Sequence, residues 1–398
     1  MLKTIWQNIL EICNIYTKFS HSKVLFYNLV KLDNKIFPDI YHLKAAIEWL
    51  CRAQDITNCG GVSYGYSFKK GWLPPYPETT GYIIPTFLQS ASFLRNQTYI
   101  KRAEIMGDWE IKIQLTSGAV RGGMGINSYP SIFNTGQVIL GWISLFEETK
   151  KKRFLKAAIR AAEWLLKVQD NDGKWSKHTF MGIPHAYHTR VAWSLLKVYK
   201  YICDEKYKQA AEKNILWALT HVKETGWFKH MGFETKEIPF THTIAYTLRG
   251  LFESSFYFEK DIKQKILDII QKAAKNILMK YISGTKNLCY LPMYIPGKLD
   301  ERWQSNVNYS CLTGNIQISI ILLKLYNLNN DVQFLNASLQ IINQIKAIQS
   351  LSCKNMGING AIPGSYPIWG EYQKFTYPNW ATKFFCDALL LKNRVMIS

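Results

Sequence analysis

Six threonines, Thr80, Thr135, Thr189, Thr243, Thr313 and Thr382, each precede or open an apolar run, and they recur 55, 54, 54, 70 and 69 residues apart. The side chains just ahead of them are Glu78 and Thr79, Asn134, Tyr187 and His188, His242, Tyr309 and Cys311, and Asn379 with Trp380. A carboxyl, two imidazoles, phenols and amides gathered at one place can move protons and hold polar groups. Glu78 suits a general acid or base, and Tyr187 a second one. His188 and His242 suit proton transfer or orientation. Asn134 and Arg190 would hold polar groups of the substrate. Each residue also has a plainer reading: Glu78 and Asn134 can serve helix ends, and the histidines can be satisfied core residues.

The aromatics form a second constellation. The stretch from Gly60 to Leu88 holds a long aromatic loop, Tyr64 to Tyr76, carrying Tyr64, Tyr66, Trp72 and Tyr76 ahead of an apolar run, Tyr82 to Leu94. Trp303 and Trp380 also fall in loops, near Asn308 and Glu371. Aromatic faces in a cleft stack on sugar rings or apolar ligands, or they simply pack a long loop. Acids are scarce in the loops. Hydrolysis of a glycosidic bond generally needs two carboxylates. Glu78 supplies one, and Glu371, Asp300 or Glu301 the other. Elimination or C5-epimerisation of a uronate needs a base and a group that neutralises the substrate carboxylate. Tyr187, His188, His242, Asn134 and Arg190 provide that set.

These positions need elements to carry them. Upstream of each loop lies an amphipathic stretch: Ala45–Gln54, Ile100–Gln114, Phe154–Gln169, Tyr207–Val222, Ile262–Lys280 and Phe334–Ile348, with apolar residues at i, i+3 and i+4. Each pairs with the threonine-headed run that follows its loop, and threonine is a good N-cap. One such pair cannot bury its apolar face alone, so neighbours must stack. The expectation is an all-α (α/α)6 toroid of six helical hairpins over residues 41–398, with inner helices around an axis. No linker divides it. Residues 1–40 read as a helical segment packed on the ring, and the Gly284–Tyr309 loop as a cover over one mouth.

Composition narrows the partners. The chain of 398 residues holds 49 Lys and Arg against 29 Asp and Glu, a formal charge of +20. That charge suits an acidic glycan, a nucleotide sugar or an anionic membrane face, or it reflects lysines spread over solvated helix faces. No basic run interleaved with aromatics points to nucleic acid. The eight cysteines form no C-x-x-C pair, which argues against zinc or redox chemistry and for a reducing, cytoplasmic setting. His185 and His188 have no acid beside them, so no metal is expected. Arg121-Gly122-Gly123-Met124-Gly125 lacks the spacing of a nucleotide fingerprint, so no cofactor is expected. The N-terminus does not read as a signal peptide, and no apolar run is long enough to span a bilayer. Membrane contact would be peripheral at most.

Two segments carry a resemblance. Arg160-Ala161-x-x-Trp164-Leu165-x-x-x-Gln169-x-x-x-Gly173-x-Trp175 resembles the repeat of squalene cyclases and prenyltransferases, and Ala46-x-x-Trp49-Leu50-x-x-x-Gln54 is a degenerate copy. The whole pattern, residues 40–392, resembles the six-hairpin glycosidase-like superfamily. It looks most like toroid proteins of bacterial surface-polysaccharide clusters, with glucuronyl C5-epimerases and toroid lyases more distant. The resemblance implies a carbohydrate-active enzyme acting on an acidic, lipid-linked or free polysaccharide intermediate by hydrolysis, elimination or epimerisation. A non-catalytic glycan-binding or scaffold protein is the alternative. A terpene cyclase would need D-x-D-D or D-D-x-x-D, and Asp170-Asn171-Asp172 is only a turn.

Overall fold

A helix that is apolar on every side has to be surrounded by other helices. The threonine-headed runs are of this kind. Leu312–Asn329, for example, is buried along nearly its whole length. The computed structural model describes residues 13–282 and 294–397. After α1 (Phe19–Val30), the ring helices alternate between outer and inner positions. They are α2 (Asp39–Asp55), α3 (Pro77–Leu94), α4 (Thr98–Ile113), α5 (Ile132–Thr149), α6 (Lys152–Lys167) and α7 (Thr189–Ile202). The series continues with α8 (Glu205–Leu219), α9 (Thr241–Ser255), α10 (Lys260–Ile282), α11 (Leu312–Asn329), α12 (Val332–Ile348) and α13 (Asn379–Ile397). The inner helices α3, α5, α7, α9, α11 and α13 each pack on the next, and α13 packs back on α3. The result is the expected all-α (α/α)6 toroid, with its apolar core between the two layers.

The hairpins are offset from the expected pairing. Each inner helix packs on the outer helix that follows it through a short link, α3 on α4, α5 on α6, α7 on α8, α9 on α10 and α11 on α12. The inner helices α3, α5, α7 and α11 end in left-handed residues, Arg95, Lys150, Cys203 and Asn330, which turn the chain sharply. The sixth pair joins α13 to α2, so the last ring helix closes on the first. The long loops lie at the opposite end, ahead of the inner helices. There β1 (Gly65–Ser67) pairs with both β2 (Gly71–Trp72) and β5 (Thr376–Pro378), which ties the first long loop to the last. A second pair joins β3 (Ser310–Cys311) to β4 (Ser365–Tyr366). Of the loop expected to cover a mouth, residues 284–293 lie outside the described residues. The remainder runs along the start of α9, where Thr241 donates its amide to the Gly297 carbonyl.

The threonines do not cap. Tyr76 stands at the N-cap of α3 and Ser131 at that of α5. Thr80, Thr135 and Thr382 lie in the first turn, and each hydroxyl accepts an amide N–H from the incoming loop: Val62 at 2.9 Å, Val120 at 2.9 Å and Ile362 at 3.0 Å. Glutamines at the ends of outer helices do the complementary task. Gln169 donates to the carbonyls of Gly173 at 2.8 Å and of Ala210 on α8 at 2.9 Å. Gln54, Gln114 and Gln349 make equivalent pairs. Gly173 has φ +93° and lies against the Lys213 backbone, so no side chain fits there. This explains the Gln-x-x-x-Gly spacing. Trp175 completes the unit by donating its indole N–H to the Leu165 carbonyl at 3.0 Å.

Among the described residues no helix is long and apolar enough to cross a membrane. Replacing Gln169 by Ala removes its bonds to the Gly173 and Ala210 carbonyls, the first of which keeps Asn214 as a donor. The variant should lose about 1–3 kcal/mol of stability, measured by urea unfolding, with the ring otherwise intact.

Candidate functional site

The long loops and the inner-helix starts enclose a cavity of about 720 Å³. Three groups of side chains line it. Tyr64 and Tyr76 come from the first long loop, Tyr372 from the last, and Trp380 from the start of α13. Phe133, Asn134, Tyr187, His242 and Tyr246 come from the starts of α5, α7 and α9. Phe180, Phe233 and Phe240 close the sides. The rings form nearly continuous walls. Tyr64 meets Trp380 edge-on at 4.6 Å and Tyr76 at 5.2 Å. Phe133 touches both Tyr187 and Tyr246 at 5.2 Å, and His242 lies 4.6 Å from Tyr246 and 5.0 Å from Tyr372. The lining acids are Glu78 and Glu371. No Lys or Arg lines the cavity among the described residues.

Glu78 stands in the first turn of α3, immediately after Pro77, and reaches the cavity. Burial raises its carboxyl to about 7, against the opposing pull of the Tyr76 hydroxyl bond and the Arg190 charge. Tyr76 donates its hydroxyl to Glu78 Oε2. Burial likewise holds the Tyr76 and Tyr187 hydroxyls well above the ordinary phenol range, so both stay protonated. His242 is neutral near pH 7. Burial lowers it to about 3, and Arg190 pushes in the same direction. Its Nδ1 has no hydrogen-bond partner. The cavity therefore holds a carboxyl that can take or give a proton near neutrality beside an imidazole with an unused nitrogen.

Several candidate residues take other places. Arg190 is buried one layer behind the wall. Its Nε donates to Gln137 Oε1 at 2.8 Å and its guanidinium lies 4.9 Å from the Tyr246 ring, so it acts on Glu78 and His242 through its charge. His188 is not in the lining either. It is buried against Trp175, His185 and Tyr187, and neither ring nitrogen has a partner. The cause is a single turn of 3-10 helix, Ala186–His188, at the head of α7, which presents Tyr187 to the cavity where the register suggests His188. Trp72 packs outside on Trp49 and Tyr66. Trp303 is buried in a turn and donates its indole N–H to the Thr225 carbonyl at 3.2 Å. Asn308 is exposed and away from the lining.

Others meet the cavity as they were read. Glu78, Tyr187, His242, Tyr64, Tyr76, Asn134, Glu371 and Trp380 all reach it. Asn134 spends its amide on the Arg121 carbonyl at 2.8 Å. Glu371 accepts from Lys298 at 2.7 Å and from the Tyr309 hydroxyl at 3.0 Å. Trp380 donates to the Tyr372 hydroxyl at 2.8 Å. Among the lining residues that the sequence reading missed are Phe133, Phe180, Phe233, Phe240, Tyr246 and Tyr372. Tyr246 lies one helical turn after His242, a spacing that signals the same face. Tyr372 follows Glu371 directly and carries no such signal.

No protein-family model matches the chain, and no curated protein matches it in sequence. Solved structures do match in shape. An unsaturated glucuronyl hydrolase specific for heparin superposes with a TM-score of 0.68 at 14% identity, over 90% of this chain and 97% of that one. A sugar epimerase from a ruminal bacterium gives 0.67 at 13% identity, over 88% and 96%. Cellobiose 2-epimerase from Bacillus thermoamylovorans gives 0.64 at 12%, over 93% and 98%. At such identities the likeness is one of fold.

Stability carries the signature of Glu78. Below about pH 4.5 its carboxyl is protonated in folded and unfolded chains alike. Between 4.5 and 7 only the unfolded chain ionises, so the folded state loses stability as pH rises through that window. Glu78→Gln should therefore be roughly 1–3 kcal/mol more stable than the parent at pH 8 and equal to it at pH 4, measured by urea unfolding at both values.

Proposed function

We propose that the chain is a carbohydrate-active enzyme that moves protons at a sugar held in the aromatic cavity, with epimerisation as the reaction. One observation supports this above the rest: the Glu78 carboxyl, raised to about 7, opens on the same cavity as a neutral His242. Inverting a carbon centre needs one group to remove a proton and another to return one. The C–H bond must lie next to a carbonyl, as in an opened reducing-end sugar or a uronate, so that the electron pair has somewhere to go. Ionised Glu78 removes the proton. Neutral His242 donates a hydrogen bond to the developing oxygen charge, the Tyr187 hydroxyl gives its proton to the opposite face of the carbon, and transfer of the proton from Glu78 to the Tyr187 phenolate through water restores both groups. The proton count then closes without oxidant or cofactor.

The cavity shapes the choice of sugar. Aromatic walls suit the apolar faces of pyranose rings, and a volume of about 720 Å³ accommodates a short oligosaccharide. With no lining Lys or Arg among the described residues, a neutral sugar fits the reacting position better than the uronate suggested by the chain's charge. A uronate carboxylate would have to rely on hydroxyls and amides. The solved structures of similar shape agree in kind, since they are a glucuronyl hydrolase and two sugar epimerases. A bacterial surface-polysaccharide intermediate and a cytoplasmic setting belong to the same proposal and rest on the sequence resemblance and cysteine usage.

Hydrolysis is the second reading, and Glu371 favours it. It is the other carboxylate in the lining, at the accessible end of the cavity. Its bonds to Lys298 and Tyr309 occupy both of its oxygens, which suits a base less well than a free carboxylate.

Oligosaccharides incubated in deuterated water separate the readings. Deuterium at a sugar carbon without new reducing ends supports epimerisation. New reducing ends without deuterium support hydrolysis. Glu78→Gln should lower kcat by about 100-fold or more while leaving sugar affinity within a few fold. The parent's kcat/KM should change with pH around 7. Tight binding with no turnover in the parent would make the protein a glycan-binding module.

A further inference from the structure

Helix α1 is built inside out. Its inward face combines the partly buried Val24 and Leu25, packed on the core, with polar contacts. His21 is buried, accepts or donates at 3.1 Å with the Tyr66 hydroxyl and stacks on Phe68 at 3.9 Å. Asn28 Oδ1 accepts the Ile368 amide at 2.8 Å. Its outward face carries the large apolar side chains. Phe19 is 84% exposed, Phe26 55%, Leu29 70% and Val30 44%. Positions 19, 26 and 30 fall on one line of the helix, opposite His21 and Asn28, and Leu29 flanks them. Leu32 and Ile36 extend the exposed apolar surface into the following turn. A water-facing helix normally shows the reverse pattern, and a cluster of this kind marks a surface meant to be covered.

Charge says what covers it. Between residues 13 and 38 the chain has Lys18, Lys23, Lys31 and Lys35 against the single acid Asp33. A second copy of a chain with formal charge +20 would set like charge against like. An anionic lipid surface instead accepts both the apolar side chains and the lysines around them. We propose that α1 docks the protein on an anionic membrane face, with Phe19, Phe26, Leu29 and Val30 entering the headgroup region. The helix rests on the first and last long loops, through Tyr66, Phe68 and Ile368, the same loops whose neighbouring residues Tyr64, Tyr76 and Tyr372 line the cavity. Docking would hold the cavity side of the ring near the lipid, where a lipid-attached glycan is within reach. The inference is independent of the catalytic reading.

Sedimentation with vesicles tests it without any turnover. The parent protein should bind phosphatidylcholine vesicles that contain phosphatidylglycerol, bind pure phosphatidylcholine far less, and release in high salt. The double variant F26S/L29S should bind about tenfold less, and Lys23→Ala about fivefold less. Both side chains of the double variant are exposed, so its urea midpoint should match the parent's and rule out misfolding as the cause. Absence of binding to the anionic vesicles would overturn the proposal. So would binding that F26S/L29S leaves unchanged. A concentration-dependent dimer in sedimentation velocity, abolished by F26S/L29S and unaffected by vesicles, would assign the face to a second copy instead.

Discussion

A hydroxyl one turn inside an inner helix, accepting an amide from the loop that arrives there, is the interaction on which the cavity depends. Thr80, Thr135 and Thr382 each do this. The loops that carry Tyr64, Tyr76 and Tyr372 are long, and β1, β2 and β5 join them to each other. Without a fixed point next to the helix start, their aromatic side chains would have no common register. The glutamine pairs at the ends of the outer helices fix the other end of the same loops. The first and last loops are thus held at both ends by these bonds and between them by the β1–β2 and β1–β5 pairs, and the cavity-lining residues sit in that frame. Buried bonds of this kind cost little to keep and much to lose.

Charge is arranged with similar economy. The inner helices carry cations that never reach the cavity. Arg190 bonds to Gln137 on the neighbouring helix. Lys383 pairs with Asp387, which also accepts from Thr86 on α3. Arg249 and Lys324 converge on Glu253, and although burial opposes its ionisation they bring it down to about 2. These contacts stitch adjacent inner helices together around the ring. Arg190 has a second effect, because it adds to the burial that keeps His242 neutral and, with the Tyr76 hydroxyl, restrains the rise that burial imposes on Glu78. A cation behind an uncharged aromatic wall can set the protonation of two cavity groups without presenting a charge to the ligand.

Much of this was legible in the chain. The period of the threonines gave the six-fold ring, because apolar runs of that length must be buried and amphipathic ones must cover them. Glu78 and His242 could be singled out because equivalent helix starts share one mouth. What could not be read was rotation. His188 and His242 stand in the same relation to their threonines, yet a 3-10 turn, which advances more per residue than an α-turn, moves the first out of the cavity and its neighbour Tyr187 in. Trp72 and Trp303 were sensible stacking candidates by type. One is claimed by a hairpin and the other by a turn. Hairpin partners were also invisible, since the amphipathic pattern of an outer helix does not say which inner neighbour it covers.

The ring is sealed where α13 meets α2 and α3, and β5 meets β1. Those partners are separated by more than three hundred residues of chain. As a ribosome makes the protein, five helical pairs can stack in turn, but they form only an open crescent with two greasy edges. The hollow that holds Glu78 does not exist until the final ring helix has emerged and latched onto the earliest. The step that creates the binding chamber therefore waits for all the other ring helices, and a nascent or truncated chain lacking that last helix would have no closed cavity and would expose adhesive edges.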